Sequence, residues 1–253
     1  MKFAGLVEYD GANFAGWAAQ PSMRTVEGVL SGALSTVLRQ PVKLSVAGRT
    51  DAGVHASGQV VSFDAQADLR PGLISYKATA VLPKDVALRR CVAVRGDFDA
   101  RRDAISRTYE YRVVNDEIRS PLKRHHAAYT PRKLNLDLLF AAAKLVEGTH
   151  DFTAFTPSRG YHIRFERKIT NSHWSRRDDL LEYRIIADSF LYGMVRTLVG
   201  TMLEVASGKR NLKDFGLLLS GASRSEAGPA VASRGLTLVS VGYDYPDLWR
   251  GER

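Results

Sequence analysis

Residues 26–38 read Val-Glu-Gly-Val-Leu-Ser-Gly-Ala-Leu-Ser-Thr-Val-Leu. Val26, Val29, Leu30, Ala33, Leu34, Val37 and Leu38 recur there at the three- and four-residue spacing that lines one face of an α-helix. Thr25 stands at the N-cap position and Pro41 lies just beyond the far end. Working outward, Lys2 to Tyr9 reads as a strand before this helix, and Val42 to Ala47 and Gln59 to Phe63 read as strands after it. A less regular helical pattern near Pro71 to Ala80 and a strand from Val86 to Val94 complete the order β-α-β-β-α-β.

The same order returns in the second half. Strand Ile105 to Val114, helix Leu134 to Val146, strands Ile169 to Trp174 and Leu181 to Ala187, helix Leu191 to Val205 and strand Leu236 to Tyr243 follow one another. The additions are a long loop from Gly148 to Glu166 and a short helix near Leu212 to Leu219. This predicts an α+β chain of two tandem ferredoxin-like (βαββαβ) units, residues 1–103 and 104–253, forming a largely antiparallel sheet. Helices are expected on one face and an open cleft on the other, broad enough for a folded nucleic acid. No residue-level repeat accompanies the repeated element order.

The composition narrows the partner. The chain has 253 residues and a formal charge of +9. The excess lies in the middle: residues 89–184 hold 20 Lys+Arg against 13 Asp+Glu, whereas the other 157 residues hold 16 against 14. Arg89-Arg90, Arg101-Arg102, Lys123-Arg124, Arg132-Lys133, Arg167-Lys168 and Arg176-Arg177 recur there, interleaved with Tyr109, Tyr111, Tyr129, Phe152, Phe155 and Tyr161. Basic groups neutralise phosphates and aromatic rings stack on bases, so nucleic acid is the leading partner, with a merely solvated basic surface as the ordinary alternative. The single cysteine, Cys91, excludes an internal disulfide and Cys-based metal clusters and reads as a buried, inert thiol. The early charge at Lys2 and Glu8 does not fit a secretory segment, and no apolar run is long enough to span a bilayer, so the expectation is a cytoplasmic protein without a membrane partner. H-E-x-x-H, P-loop, G-x-G-x-x-G and nucleophile-elbow motifs are missing, and the 6 histidines lack ligand spacing, which argues against hydrolase, nucleotide-dependent and metal chemistry.

Three places could carry chemistry. Gly48-Arg49-Thr50-Asp51-Ala52-Gly53-Val54-His55 offers a carboxylate on a glycine-bracketed turn between two strands, although Asp and Gly are also ordinary turn residues. Period-two alternation puts Arg107, Tyr109 and Tyr111 on one strand face, as a base-stacking platform or as simple sheet packing. In the helix containing Arg196, Gly193 and Gly200 either admit a ligand or another chain beside the guanidinium or serve helix packing.

Taken together, these residues resemble the A-type tRNA pseudouridine synthases. The resemblance rests on Gly48-Arg49-Thr50-Asp51-Ala52-Gly53-Val54-His55-Ala56, then Tyr9-Asp10-Gly11 with Phe14 and Gly16-Trp17, Arg107-Thr108-Tyr109-Glu110-Tyr111, and His150-Asp151-Phe152 with Phe155. Ser189-Phe190-Leu191-Tyr192-Gly193-Met194-Val195-Arg196 and Ala227-Gly228-Pro229 with Gly235-Leu236 complete it. Ala18, Glu27, Arg102, Asp103, Val231 and Ala232 depart from the family pattern. The resemblance implies isomerisation of uridine to pseudouridine in the anticodon stem-loop of tRNA by a cytoplasmic homodimer that needs no cofactor and no metal. It implies Asp51 as essential carboxylate, Arg196 as its cationic partner, and Tyr109 stacked on the target uracil. Arg49 would hold the flipped nucleotide or fill its place, and His55 and Arg107 are the further substrate-binding candidates. A lone carboxylate fits an isomerase better than a glycosidase, which ordinarily pairs two. The rival reading is a non-catalytic tRNA-binding protein or chaperone using the same basic face; a glycoside or nucleoside hydrolase comes third.

Overall fold

The computed structural model describes residues 1–66, 69–157, 163–245 and 248–249. The chain is α+β and forms two compact units, Met1–Ile105 with Leu238–Arg253, and Ser106–Thr237. The division falls at 105/106, and residues 238–253 group with the first unit.

The first unit runs β1 (Lys2–Tyr9), α1 (Val26–Leu38), β2 (Ser45–Val46), β3 (His55–Asp64), α2 (Pro71–Val81) and β4 (Val86–Val94). β1 pairs antiparallel with both β3 and β4. α1 starts where the sequence placed it, because the Thr25 hydroxyl accepts the Gly28 N–H at 3.3 Å, and it buries Val26, Leu30, Ala33, Leu34 and Leu38. α2 begins at Pro71, where a missing N–H costs nothing, and is tied to β4 by Thr79, whose hydroxyl donates to Leu88 O at 3.2 Å and accepts Leu88 N–H at 3.1 Å. On one parity of the sheet the cross-strand partners Phe3 and Phe63 stack at 5.5 Å, both buried.

The opposite parity is not left open. Ala4 and Val60 pack with Ala47, Phe98, Ala100 and Leu248, and the Tyr243 hydroxyl donates to Ala100 O at 2.6 Å. These side chains are apolar, so the turn around residues 95–103 and the chain's last strand take them out of water. That strand, the last of the chain (Leu236–Tyr243), lies next to β3, where Gly58 makes room: a Cβ on it would stand 2.0 Å from Val239 O.

In the second unit the order is β5 (Ala104–Asn115), β6 (Ala128–Thr130), α3 (Leu136–Leu145), β7 (Gly148–Asp151), β8 (Glu166–Arg177), β9 (Leu180–Ala187), α4 (Met194–Ala206) and α5 (Leu212–Leu217); β10 is the Leu236–Tyr243 strand. The sheet order is β5-β9-β8-β7, antiparallel throughout, with β6 added parallel to β5. Tyr111, Tyr183 and Trp174 are neighbours across three strands, and the Ser172 hydroxyl donates to Ala143 O of α3 at 2.8 Å. Helices therefore cover this parity. The other parity carries cross-strand ion pairs, Arg184 with Glu110 at 2.5 Å and Arg112 with Glu182 at 2.8 Å.

Besides shifts at element ends, the structure differs from the sequence reading at three places. The expected strand at 42–47 shrinks to Ser45–Val46. The segment read as a loop from 148 to 166 begins with β7 and a 3-10 turn at Thr153–Phe155. β6 was not foreseen, being only 3 residues long. Edge pairings this short depend on a neighbouring strand and leave no periodicity of their own.

Candidate active site

Asp51 is half-buried on the turn that leads into β3, and the backbone of residues 11–17 is laced along it. The Trp17 N–H donates to Thr50 O at 3.0 Å, and the Gly53 N–H donates to Phe14 O at 3.3 Å. Val54 N–H closes the turn on Asp51 O at 3.2 Å. Glycine permits this approach: a Cβ at Gly11 would lie 2.0 Å from Val54 O, and Gly16 adopts φ +99° with Thr50 O 3.0 Å from where its Cβ would be. Gly53, with φ 75°, takes the left-handed conformation the turn requires.

Beneath the turn lies a buried polar chain. Gln59 of β3, 0% exposed, donates from Nε2 to Gly48 O at 2.7 Å and to the Tyr9 hydroxyl at 3.4 Å. The Tyr9 hydroxyl lies 2.7 Å from Thr50 Oγ1, and burial pushes its phenol up to about 12. His55, also buried, accepts the Gly11 N–H on Nδ1 at 3.1 Å, while Asp10 Oδ1 stands 3.0 Å from the same nitrogen. That nitrogen serves one partner at a time: unprotonated it accepts from Gly11, protonated it donates to Asp10.

An outer clamp holds the 10–17 segment. Arg24 reaches both oxygens of Asp85 at 2.8 Å, and its guanidinium carbon sits 4.0 Å over the Phe14 ring. The Asp10 N–H donates to Asp85 O at 3.0 Å. The Arg24 hydrogen bonds hold the Asp85 carboxyl below its ordinary range.

In the second unit, Tyr109 on β5 is 8% exposed and meets Phe190 edge-on at 5.0 Å. Arg107, two residues earlier, donates to Asp188 O at 2.7 Å. Tyr111 is fully buried and donates to Ala232 O at 2.7 Å, so the stacking platform expected from three alternating residues loses this member to the core. Burial raises its phenol well above the usual range, with the Arg196 and Arg234 cations opposing.

Arg196 is half-buried on the first turns of α4 and donates from Nε to Val231 O at 2.8 Å, while Val231 N–H returns to Arg196 O at 3.2 Å. Gly200, one turn on, would place a Cβ 1.9 Å from Pro229 O. The group admitted beside α4 is therefore the chain's own 227–231 segment, fixed also by Gly228 N–H donating to Thr201 Oγ1 at 3.1 Å. Gly193 forms the helix N-cap at φ 68°.

The structure thus holds Asp51, Arg49 and His55 on or beside one pinned turn of the first unit, with Arg49 exposed and His55 buried. Arg107, Tyr109 and Arg196 belong to the second unit. Tyr9, Thr50, Gln59 and Arg24 were missed as supporting residues. For Gln59 the available signal was a lone amide at the head of the strand 59–63. Tyr161, counted among the interleaved aromatics, lies outside the described residues. Cys91 is 5% exposed, and burial pushes its thiol up to about 12, as an inert core thiol requires. Among the described residues no helix is long and apolar enough to cross a membrane.

A family model described as tRNA pseudouridine synthase matches residues 6–101 and 142–244. A protein of Xanthomonas euvesicatoria named tRNA pseudouridine synthase A is 38% identical over 251 residues, covering 98% of this chain and 97% of the relative. Proteins of the same name from Stenotrophomonas maltophilia and Xylella fastidiosa are 38% identical over 253 residues and 36% identical over 250 residues; each alignment covers 98% of this chain and 97% or 96% of the relative.

Proposed function

Because this chain belongs to the tRNA pseudouridine synthase family, we propose that it isomerises uridine to pseudouridine in the anticodon stem-loop of tRNA, with Asp51 as the essential carboxylate. The reaction breaks the bond from N1 of uracil to C1′ of the ribose, turns the base, and joins C5 to C1′. C5 gives up its proton and N1 gains one, so atoms balance without a redox partner. One anionic group near the anomeric carbon suffices, either attacking C1′ or removing the C2′ proton. Water must be kept out while the base is detached, since it would capture the sugar.

The observation that carries this reading is the Asp51 turn itself: it lies within the stretch 6–101 that the family model matches, and its backbone is pinned at Thr50, Gly53 and Val54. Such fixing suits a group that must meet one atom of a flipped nucleotide. On this reading Arg196 is the second catalytic residue. Tyr109 stacks on the uracil, and Phe190 holds that ring edge-on. Arg49, exposed, and Arg107 contact the nucleotide. His55 is better suited to holding the Gly11 turn than to touching substrate, because 4% of it is exposed. We also read each unit as a ferredoxin-like fold, the protein as cytoplasmic, and the working species as a homodimer presenting its basic residues to one tRNA.

The test is tritium release from tRNA carrying 5-tritiated uridine. Asp51→Ala is expected to bind tRNA as the parent does and to release no tritium; release at the parental rate overturns the assignment. A chain that binds tRNA without forming pseudouridine would instead support the chaperone reading.

A further inference from the structure

The Tyr9–Gln59 chain is buried and ties two separate points of the Asp51 turn through polar groups. Gln59 Oε1 accepts the Val60 N–H at 3.2 Å, which settles which end of the amide is nitrogen. Its Nε2 then has two hydrogens, one for Gly48 O at 2.7 Å and one for the Tyr9 oxygen at 3.4 Å. The Tyr9 oxygen, which accepts from Gln59, is also hydrogen-bonded to Thr50 Oγ1 at 2.7 Å, a bond in which either hydroxyl can donate. The two residues held, Gly48 and Thr50, bracket Arg49, and Asp51 follows directly. All three side chains are buried: Gln59 is 0%, Tyr9 3% and Thr50 7% exposed.

A buried amide and phenol are costly unless every group is satisfied, and an apolar pair would fill the same space more cheaply. What the polar pair adds is direction. A hydrogen bond fixes distance and angle at a chosen backbone atom, whereas apolar packing tolerates sliding. The Thr50 carbonyl is independently held by the Trp17 N–H, so side chain and backbone of the same residue are tied from two sides.

We propose that Gln59 and Tyr9 are positioning residues for the reaction, setting through Gly48 and Thr50 the backbone from which Arg49 and Asp51 project. The role rests on Asp51 being the essential carboxylate. It reaches beyond it in assigning catalytic geometry to residues that touch no substrate.

Tyr9→Phe and Thr50→Val each delete one hydroxyl at nearly constant volume, and Thr50→Ser restores the hydroxyl on a smaller side chain. Single-turnover pseudouridine formation with saturating folded enzyme is expected to slow about ten- to hundredfold in Tyr9→Phe and Thr50→Val. The tRNA Kd should stay within about twofold, and Thr50→Ser should recover most of the rate. The Tyr9→Phe, Thr50→Val double variant should be no slower than the slower single, since both break one link. A purely structural role predicts lost folded fraction with a parental rate per folded molecule. Parental single-turnover rates in both folded hydroxyl deletions, or Thr50→Ser as slow as Thr50→Val, overturn the inference while parental turnover keeps the proposed function intact. If the parent chain forms no pseudouridine, or if Asp51→Ala retains full activity, the proposed function falls and this inference with it.

Discussion

Arg24 shows how much one side chain can organise. Its guanidinium grips both oxygens of Asp85, covers the face of Phe14, and stands on the segment that laces the Asp51 turn. Bidentate geometry and a ring below it are features a lysine cannot reproduce. Because the Arg24 hydrogen bonds lower the folded pKa of Asp85, the unfolded chain binds its proton first. The stability from this pair is therefore fully present above the ordinary aspartate pKa of 3.8 and is lost as pH falls below it through the depressed folded value. Thermal midpoints measured across the acid range should fall more gently for Asp85→Asn than for the parent. Equal slopes would show that the pair contributes nothing; partial exposure of both partners, 40% and 23%, keeps the expected effect small.

At the scale of elements, glycine contacts decide which segments lie together. Gly200→Ala would drive a methyl to 1.9 Å from Pro229 O, on a segment anchored by the reciprocal bonds between Arg196 and Val231. The variant is expected to lose about 1–3 kcal/mol in denaturant unfolding, despite the better helix propensity of alanine. Gly32→Ala on α1, with nothing within 4 Å, should gain about 0.5–1 kcal/mol in the same experiment. An unaffected Gly200→Ala would mean that the 227–231 segment is free to shift. The periodicity of α1 was readable because the helix buries one repeating face, and β1 and β4 were readable as short runs rich in apolar residues. β6 and β7 were not, because their pairing comes from β5 and β8 and not from a pattern within their own few residues. The glycines of the Arg196 helix were noticed in the sequence, yet what approaches one of them proved to be the chain itself.

For the whole molecule, the charge excess is the property that bears on RNA. Arg101 and Arg102 are exposed, and the Asp99 carboxylate accepts their backbone N–H groups at 2.9 Å. Changing both to Gln should reduce the slope of log Kd for tRNA against log salt by about 1.4–1.8, if each meets one phosphate. An unchanged slope would move the RNA surface elsewhere. Arg167 makes a weaker candidate, since it turns back to donate to the carbonyls of Arg164 and Glu166 at 3.0 and 2.6 Å.

The sequence by itself determined the order of the main elements, the basic middle of the chain, and the run Gly48–His55 on which the family resemblance was read. Those are local or additive properties: periodicity, charge and residue identity are all present before the chain folds. Only the tertiary structure decided that Tyr111 belongs to the core, that the last strand joins the first unit, and that Gln59 and Tyr9 reach Gly48 and Thr50. Each of these depends on groups distant in sequence competing for the same buried space. Hydrogen-bond direction there follows from which partner arrives, and no local pattern carries that information.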